Sequence, residues 1–461
     1  MTSPVTETDA VVVGAGTAGA GAALQLARKG LRVILLDRRG PEAGGAQWQN
    51  GVLDRHFEQA GIEPPAGDER GGANLLTHIV GPDGTRAVSI TSPTVGADMA
   101  LLGRRLRRLA AEAGVEIVDH AEIRSVVVER GRVTSVDVRV NPSGPGVPAQ
   151  RILRAALFVD ASGRGGVLRR HSPALDPWCA SVSRSELCSA ADVHFEISDP
   201  DGARRFLARH GARPGETVTA IGVSGGYSTR AVAIDADLGR VGVLVGCVAN
   251  GRYSTGPKMV EDFVRSEPWV GPRLHGGFGV IPLRRPYARF TAPGLALVGD
   301  AACQVFPAHG SGIGIGLIAG RMLADAVGGT TDPGDEHVVW RYQAAFQHEF
   351  GGLLVASDIF RRLSTELGEE GVAALVRSGL MTETATEGGL DQRWPEPPAS
   401  EVLALAGRLV RAPSLARRML PRLARGQVAI GVGSRHPDTV DVAALERWDR
   451  GVQRLLGPLP A

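Results

Sequence analysis

The sequence predicts an α/β fold: a mostly parallel sheet assembled from separated stretches of chain, an inserted and largely antiparallel sheet, and helices closing the C-terminus. Three observations predict it. Residues 10–37 read as strand, glycine turn, helix, strand, acid. Two later apolar runs, ending at Asp160 and Asp300, lead into glycine-containing loops. Alternating segments lie between them, and a mainly helical pattern runs from about His337 to the end.

Ala10 to Val13 is a short apolar run ended by Gly14, which suits a buried parallel strand. Small and apolar residues recur with helical spacing from Thr17 to Lys29, and Gly30 closes that helix. Leu31 to Leu36 is a second buried strand, followed by Asp37. Leu76 to Ser92 holds a Pro82-Asp83-Gly84 turn between alternating segments, a hairpin signal. Leu101 to Ala113 reads as a helix whose outer face carries Arg104, Arg105, Arg107 and Arg108. From Val115 to Asp160, short strands broken by Gly131 and by Asn141-Pro-Ser-Gly-Pro-Gly predict an antiparallel meander. Strand-like runs from Asp192 to Ala249, Val241 to Val248 among them, predict a second sheet. Gly294 to Val298 returns to the buried-strand pattern, and a glycine-rich loop and a helix to Val327 follow. A proline-rich join, Trp394-Pro-Glu-Pro-Pro, separates the last helices. The expected division is 1–75, 93–178 and 272–335 for the first sheet and its helices, 76–92 and 179–271 for the second sheet, and 336–461 for a helical region.

Composition narrows the function. A chain of 461 residues has ample material for two or three packed domains, and a formal charge of +2 gives no case for a nucleic-acid partner. The basic residues are almost all arginine; Lys29 and Lys258 are the only lysines. Cys179, Cys188, Cys247 and Cys303 form no Cys-x-x-Cys pair, which argues against zinc, iron–sulfur or dithiol chemistry and fits a reducing compartment. The polar N-terminus is no signal peptide and no stretch approaches the ~20 apolar residues of a membrane span, so a cytoplasmic location is expected.

The first chemical motif is Gly14-Ala15-Gly16-Thr17-Ala18-Gly19. Gly14 allows the tight turn, Gly16 lets backbone approach a pyrophosphate, and Gly19 lets helix and sheet pack closely. The helix N-terminus offers free N–H groups and the positive end of its dipole to phosphate. Asp37, with Arg38 after it, ends the next strand, where a carboxylate accepts hydrogen bonds from a ribose. This much does not choose between FAD and NAD.

Two later motifs do: Phe158-Val-Asp160-Ala-Ser-Gly163-Arg164, and Leu297-Val-Gly299-Asp300 continuing to Pro307-Ala-His309-Gly310-Ser311-Gly312. With the first motif, they resemble those of the FAD-dependent superfamily of aromatic hydroxylases, geranylgeranyl-reductase-like enzymes and flavin-dependent halogenases. The resemblance spans residues 8 to about 330. It implies a Rossmann-type FAD-binding domain with an inserted substrate sheet. It also implies that Asp300 binds the ribityl chain and Gly299 permits close approach. Pro307 and Gly310-Ser311-Gly312 would shape the loop beside the isoalloxazine ring, and the helix from Ile313 would aim its N-terminus at the ring's pyrimidine end. Asp160 and Gly163 match the family's second dinucleotide-contacting motif.

The halogenase branch is disfavoured. Gly277-Phe-Gly279-Val-Ile281-Pro282 resembles the Trp-x-Trp-x-Ile-Pro stretch of those enzymes without either tryptophan, and no lysine lies between Lys29 and Lys258 to serve their chemistry. The arginine usual in the hydroxylases' helix after the first hairpin falls on Met99, with Arg104 or Arg105 as alternatives. His309, in the loop facing the flavin, is the candidate catalytic residue, as general acid or base or hydrogen-bond partner; a loop histidine tied to backbone is the other reading. Gln47-Trp48-Gln49-Asn50 either lines the ring or substrate pocket or packs structurally, and Cys303 reads as a small buried packing residue. Glu401 to Gly426, rich in leucine and arginine, is either a solvated helical face or a peripheral membrane contact.

The resulting expectation is a flavoprotein monooxygenase. It would hydroxylate or epoxidise an aromatic or unsaturated substrate, free or carrier-bound, through a flavin C4a-hydroperoxide. NADH or NADPH would bind transiently as reductant, or a partner flavin reductase would supply electrons. The alternatives are a geranylgeranyl-reductase-like carbon–carbon double-bond reductase and a non-catalytic flavin-binding protein.

Overall fold

The computed structural model describes residues 4–73, 75–142, 147 and 149–459. Strand Val5–Val13 lies at the heart of an eight-stranded sheet, parallel to Val33–Leu36 on one side and Ala149–Asp160 on the other. Glu116–Val118 and Leu295–Leu297 extend the parallel set outward. Val33–Leu36 is buried at every position, as expected of a strand covered on both faces. The first strand begins at Val5 rather than Ala10 because its polar start pairs with Ile152 to Ala155.

The expected meander is only partly antiparallel. Ala121–Glu129, Arg132–Val140 and Ala149–Asp160 pair antiparallel in succession, but Glu116–Val118 is parallel to Val33–Leu36, and Ala149–Asp160 continues into the parallel core. Residues 143–146 of the predicted break after Asn141 lie outside the described residues.

The second sheet has seven strands in the order 270–282, 187–197, 240–248, 228–234, 217–221, 76–80 and 86–91. Its last two form the hairpin predicted around Pro82-Asp83-Gly84. Ala191, Val193 and Phe195 point to one face and pack with residues of the helices Pro200–Arg209 and Gly256–Ser266. Val270–Pro282 pairs with Leu187–Ile197 nearly end to end, so residues 272–282 belong to this sheet rather than to the first. A small sheet of Gln49–Leu53, Thr94–Asp98 and Arg70–Ala73 bridges the two.

Helix Ile313–Val327 packs on helix Thr17–Arg28 at very short range: a side-chain carbon at Gly320 would stand 2.9 Å from Ala22 Cα. The C-terminal region is helical, as expected. Its join at Trp394 is anchored, since the indole packs on Phe360 and donates to Gln427. Glu401 to Gly426 falls on two helices, Ala399–Arg411 and Pro413–Ile430, and Arg408, Arg418 and Arg422 bond back onto the protein body. Among the described residues no helix is long and apolar enough to cross a membrane.

Gly320→Val should destabilise the chain by about 1–3 kcal/mol through overpacking between these helices. Thermal unfolding of the cofactor-loaded protein would show it as a lower Tm, and an unchanged Tm would mean the helix pair tolerates separation.

Candidate cofactor and active site

The parallel strands end along one edge, and the predicted motifs meet there. Gly14 has φ +104°, and a side-chain carbon on it would fall 2.4 Å from Ala161 O. One on Gly19 would fall 1.8 Å from Gly14 O. Both positions therefore admit only glycine. Gly16 is different: its nearest neighbour in that direction, Gly45 Cα, is 3.7 Å away, so its open side faces the groove. Helix Thr17–Arg28 starts there with no side-chain cap and no acid in its first turn. Ala15 and Asp37 are linked, the Ala15 N–H donating to Asp37 Oδ2 at 2.7 Å, while Arg39 N–H donates to Oδ1 at 2.8 Å. Arg38 is exposed beside them.

At the other end, Gly299 has φ +68° and approaches Ala18, whose Cβ would be 2.8 Å from a side chain there. The Gly299 N–H donates to Gln304, which donates to Tyr342, which donates to Leu297 O, a buried chain of bonds that fixes this loop. The Asp300 carboxylate accepts no hydrogen bond among the described residues, and burial pushes its pKa up to about 6. Its Oδ1 would be 3.5 Å from a side-chain carbon on Gly312, so it stands beside the start of helix Ile313–Val327. That helix too begins uncapped and without acids. Loop Phe306–Gly312, with Pro307 in it, is folded on itself by Phe306 N–H to Ser311 O at 2.9 Å and Gly310 N–H to Phe306 O at 2.9 Å.

These features fit FAD. Two uncapped helix N-termini suit its pyrophosphate and the pyrimidine end of its ring, and a half-buried carboxylate without a protein donor suits its ribityl hydroxyls. Asp160 works differently from Asp300. Fully buried, it accepts from Ser162 N–H, Ser162 Oγ, Leu168 N–H and Arg169 N–H. Its carboxylate thus folds the loop that carries Gly163 and supports Gly14. His309 is exposed, stacks obliquely on Phe306 and bonds through Nε2 to Gly389 O at 3.0 Å; the protein around it lowers its pKa. Cys303 is fully buried behind the loop.

Other features of the site were not legible beforehand. Gln392 is buried at φ +51°, donates to Ser311 Oγ at 3.3 Å and leaves its own oxygen without a partner. His56 packs on Gly314 in the first turn of the flavin-side helix, and burial, with Arg55 nearby, pushes its pKa down to about 4, leaving it neutral. The second sheet supplies a floor. Directly paired residues share a face, so Ala190, Gly246, Gly279 and Thr229 line up with Asp192, Leu244, Gly277 and Ala231, then with His194, Gly242, His275 and Ala233. Trp48 lies on this face: side-chain carbons at Gly277 and Gly279 would be 2.9 and 3.0 Å from its ring. Gln49 N–H donates to Asp192 Oδ2 at 3.1 Å, and Ile281 abuts Gly310 of the flavin loop. His194 stacks on His275 at 4.5 Å. Period-two spacing of Ala190, Asp192 and His194 was the one sequence signal for this face. Among the described residues no cluster of three or more His, Cys, Asp or Glu is placed to hold a metal.

Residues 9–174 match the family model described as FAD dependent oxidoreductase. Over 387 residues the chain is 24% identical to the digeranylgeranylglycerophospholipid reductase of Sulfolobus acidocaldarius, covering 79% of each protein. It is 28% identical to digeranylgeranylglycerophospholipid reductase 2 of Methanothermobacter thermautotrophicus, covering 80% of this chain and 91% of that protein. Among solved structures, a geranylgeranyl bacteriochlorophyll reductase-like protein from Thermoplasma acidophilum superposes with a TM-score of 0.68 at 20% identity, over 87% of this chain and all of that one. The flavin-dependent brominase Bmp2 superposes with a TM-score of 0.58 at 16% identity, over 84% of this chain and 93% of that one.

Asp300→Asn should move stability and cofactor binding in opposite directions. The folded pKa of about 6 exceeds the ordinary carboxyl value of 3.8. In the FAD-free chain this group's contribution to stability is therefore complete below about pH 4 and lost as pH rises through about 6. The asparagine variant should escape that loss, gaining on the order of 2 kcal/mol at neutral pH, while binding FAD about tenfold more weakly or worse. Urea unfolding of the apoprotein and a flavin titration read the two effects, and a shared sign would refute the assignment. Separately, Gly279→Ala should be harmful in the wild type and tolerated beside Trp48→Ala, with a coupling of about 1 kcal/mol or more in a double-mutant cycle.

Proposed function

We propose that this chain, an FAD-dependent oxidoreductase of the superfamily its motifs resemble, reduces carbon–carbon double bonds in a long apolar substrate of the polyprenyl kind. The observation that carries the reading is the open strip of the second sheet where the small Ala190, Ala231 and Ala233 lie beside the exposed Leu244, next to the Trp48 indole. Small residues from several strands leave a shallow shelf beside the flavin loop. Strand Ser228–Ile234, which carries two of these alanines, spans ~20 Å at the usual strand rise, enough for an extended hydrocarbon to lie along it. The relatives named for reducing a digeranylgeranylglycerophospholipid support the same reading.

FAD, when bound, supplies the electron pair. The chain's part is to hold it between the two helix N-termini, to lay the substrate on the shelf and to limit water at the ring. NADPH or NADH would recharge the flavin by transient binding, or a separate reductase would do so.

Monooxygenation is the second reading. Segment Gly389–Gln392 favours it: His309 and Gln392 tie that segment across the flavin loop, a cover of the kind oxygen chemistry needs.

A single-turnover experiment separates the two. Photoreduced protein mixed anaerobically with geranylgeraniol, or with a lipid bearing geranylgeranyl chains, should reoxidise its flavin without oxygen, and the product should gain two hydrogen atoms per bond. If reoxidation requires oxygen and the product instead carries an added oxygen atom, the reductase reading fails and the monooxygenase reading takes its place.

A further inference from the structure

Behind the loop that carries Asp300 lies a second, polar cavity of about 300 Å³, lined in part by Trp178, Glu186, Arg284, Arg285, Arg362 and Asp449. It sits where the edge strand's exit meets helix Gly352–Arg377 and the end of helix Val442–Leu456. The charges around it do not balance. Arg285, 3% exposed, is paired with Asp449 and donates to Pro286 O at 3.1 Å. Arg361 and Arg362 both donate to the fully buried Asp358, at 2.9 and 3.0 Å, and Arg362 also lies 3.7 Å from Glu186. Those three carboxylates are thereby taken up.

Arg284 has none. Its Nε donates to Arg285 O at 3.2 Å, its guanidinium lies 4.9 Å from the centre of the Tyr287 ring, and both Nη groups lack an acceptor among the described residues. Arg169, on the same ring at 5.0 Å, donates to Tyr287 OH and Ala301 O and likewise has no carboxylate partner. The Nε atoms of Arg285 and Arg361 are buried without acceptors. Five arginines thus stand near three carboxylates, and the two in contact with none, Arg284 and Arg169, are half-buried, where a counter-charge is worth more than in open water.

We propose that this cavity binds a phosphate-class oxyanion, gripped by the free fork of Arg284. A guanidinium with two unclaimed Nη groups matches two oxygens of such an anion in parallel, with charge assistance. The volume accommodates phosphate or a small phosphate ester, and Trp178 and Leu456 give an ester's carbon portion an apolar wall. The anion supplies the missing negative charge. None of the residues that line it belongs to the three glycine motifs; Arg284 lies on the Tyr287 ring, and Tyr287 N–H donates to Ala302 O at 3.2 Å.

The test is isothermal titration of the FAD-loaded protein in phosphate-free buffer, first with inorganic phosphate and then with a soluble short-chain phosphatidic acid. Saturable binding of one equivalent is expected, weakened about tenfold or more by Arg284→Gln, with the flavin spectrum unchanged. Arg284→Lys keeps the charge without the fork and should fall between the two. Binding of inorganic phosphate identifies a free oxyanion site, and binding of the phosphatidic acid alone identifies a lipid-headgroup site. If neither binds, or if affinity is the same in Arg284→Gln, the proposal is overturned. Should Arg284→Gln fail to fold, undiminished affinity in Arg284→Lys overturns it equally.

Discussion

The cofactor groove depends on how closely the turn at Gly14 approaches the end of its neighbouring strand at Ala161. With 2.4 Å between that carbonyl oxygen and any side-chain carbon, only glycine permits the contact. The contact sets where helix Thr17–Arg28 begins and which way its free N–H groups point. Gly19, pressed on Gly14 O, and Gly320, pressed on Ala22, repeat the condition one and two layers outward. Backbone meets backbone at three successive levels, and the two helices whose N-termini flank the groove are held in register with the sheet by that stacking.

Three strand-end carboxylates then divide the work, and their hydrogen bonds show how. Asp160 is saturated by four donors from its own loop and acts as a structural clamp. Asp37 is bonded on each oxygen by one backbone N–H, which orients it while leaving lone pairs for a ligand. The Asp300 carboxylate has no donor among the described residues, and burial raises its pKa to about 6. A desolvated carboxylate without a donor weakens the fold on its own, which is the pattern expected of a group placed for binding rather than for stability.

How much of this could be read from the sequence follows from distance along the chain. Gly14, Gly16, Gly19 and Asp37 fall within one βαβ unit, so local spacing was enough to place them. The Asp160 motif was recognisable, but its saturation was not, because two of the donors, Leu168 and Arg169, come from the far side of a loop with no regular pattern. Strand Val270–Pro282 was divided at the wrong place. Gly276, Gly277 and Gly279 weaken any strand signal, and the pairing with Leu187–Ile197 that overrides it is long-range. The open face of the second sheet was hidden for the same reason: it becomes a surface only once separate strands are aligned.

Trp48 shows what that alignment decides. The halogenase-like stretch carries glycine at 277 and 279 where the related enzymes have tryptophan, and on sequence alone this is a loss. In the folded chain the space above both glycines is filled by one indole from the segment after the first βαβ unit. Aromatic cover is therefore kept but moved from the edge strand to a bridging segment, whose Gln49 is tied to Asp192. An indole held from outside the sheet stands over the edge strand, while the His194 ring covers Gly242 and the Cys188 sulfur covers Gly246, so the open strip of this face lies around Ala231, Ala233 and Leu244. Where the aromatic ring is anchored thus decides which part of this face stays open.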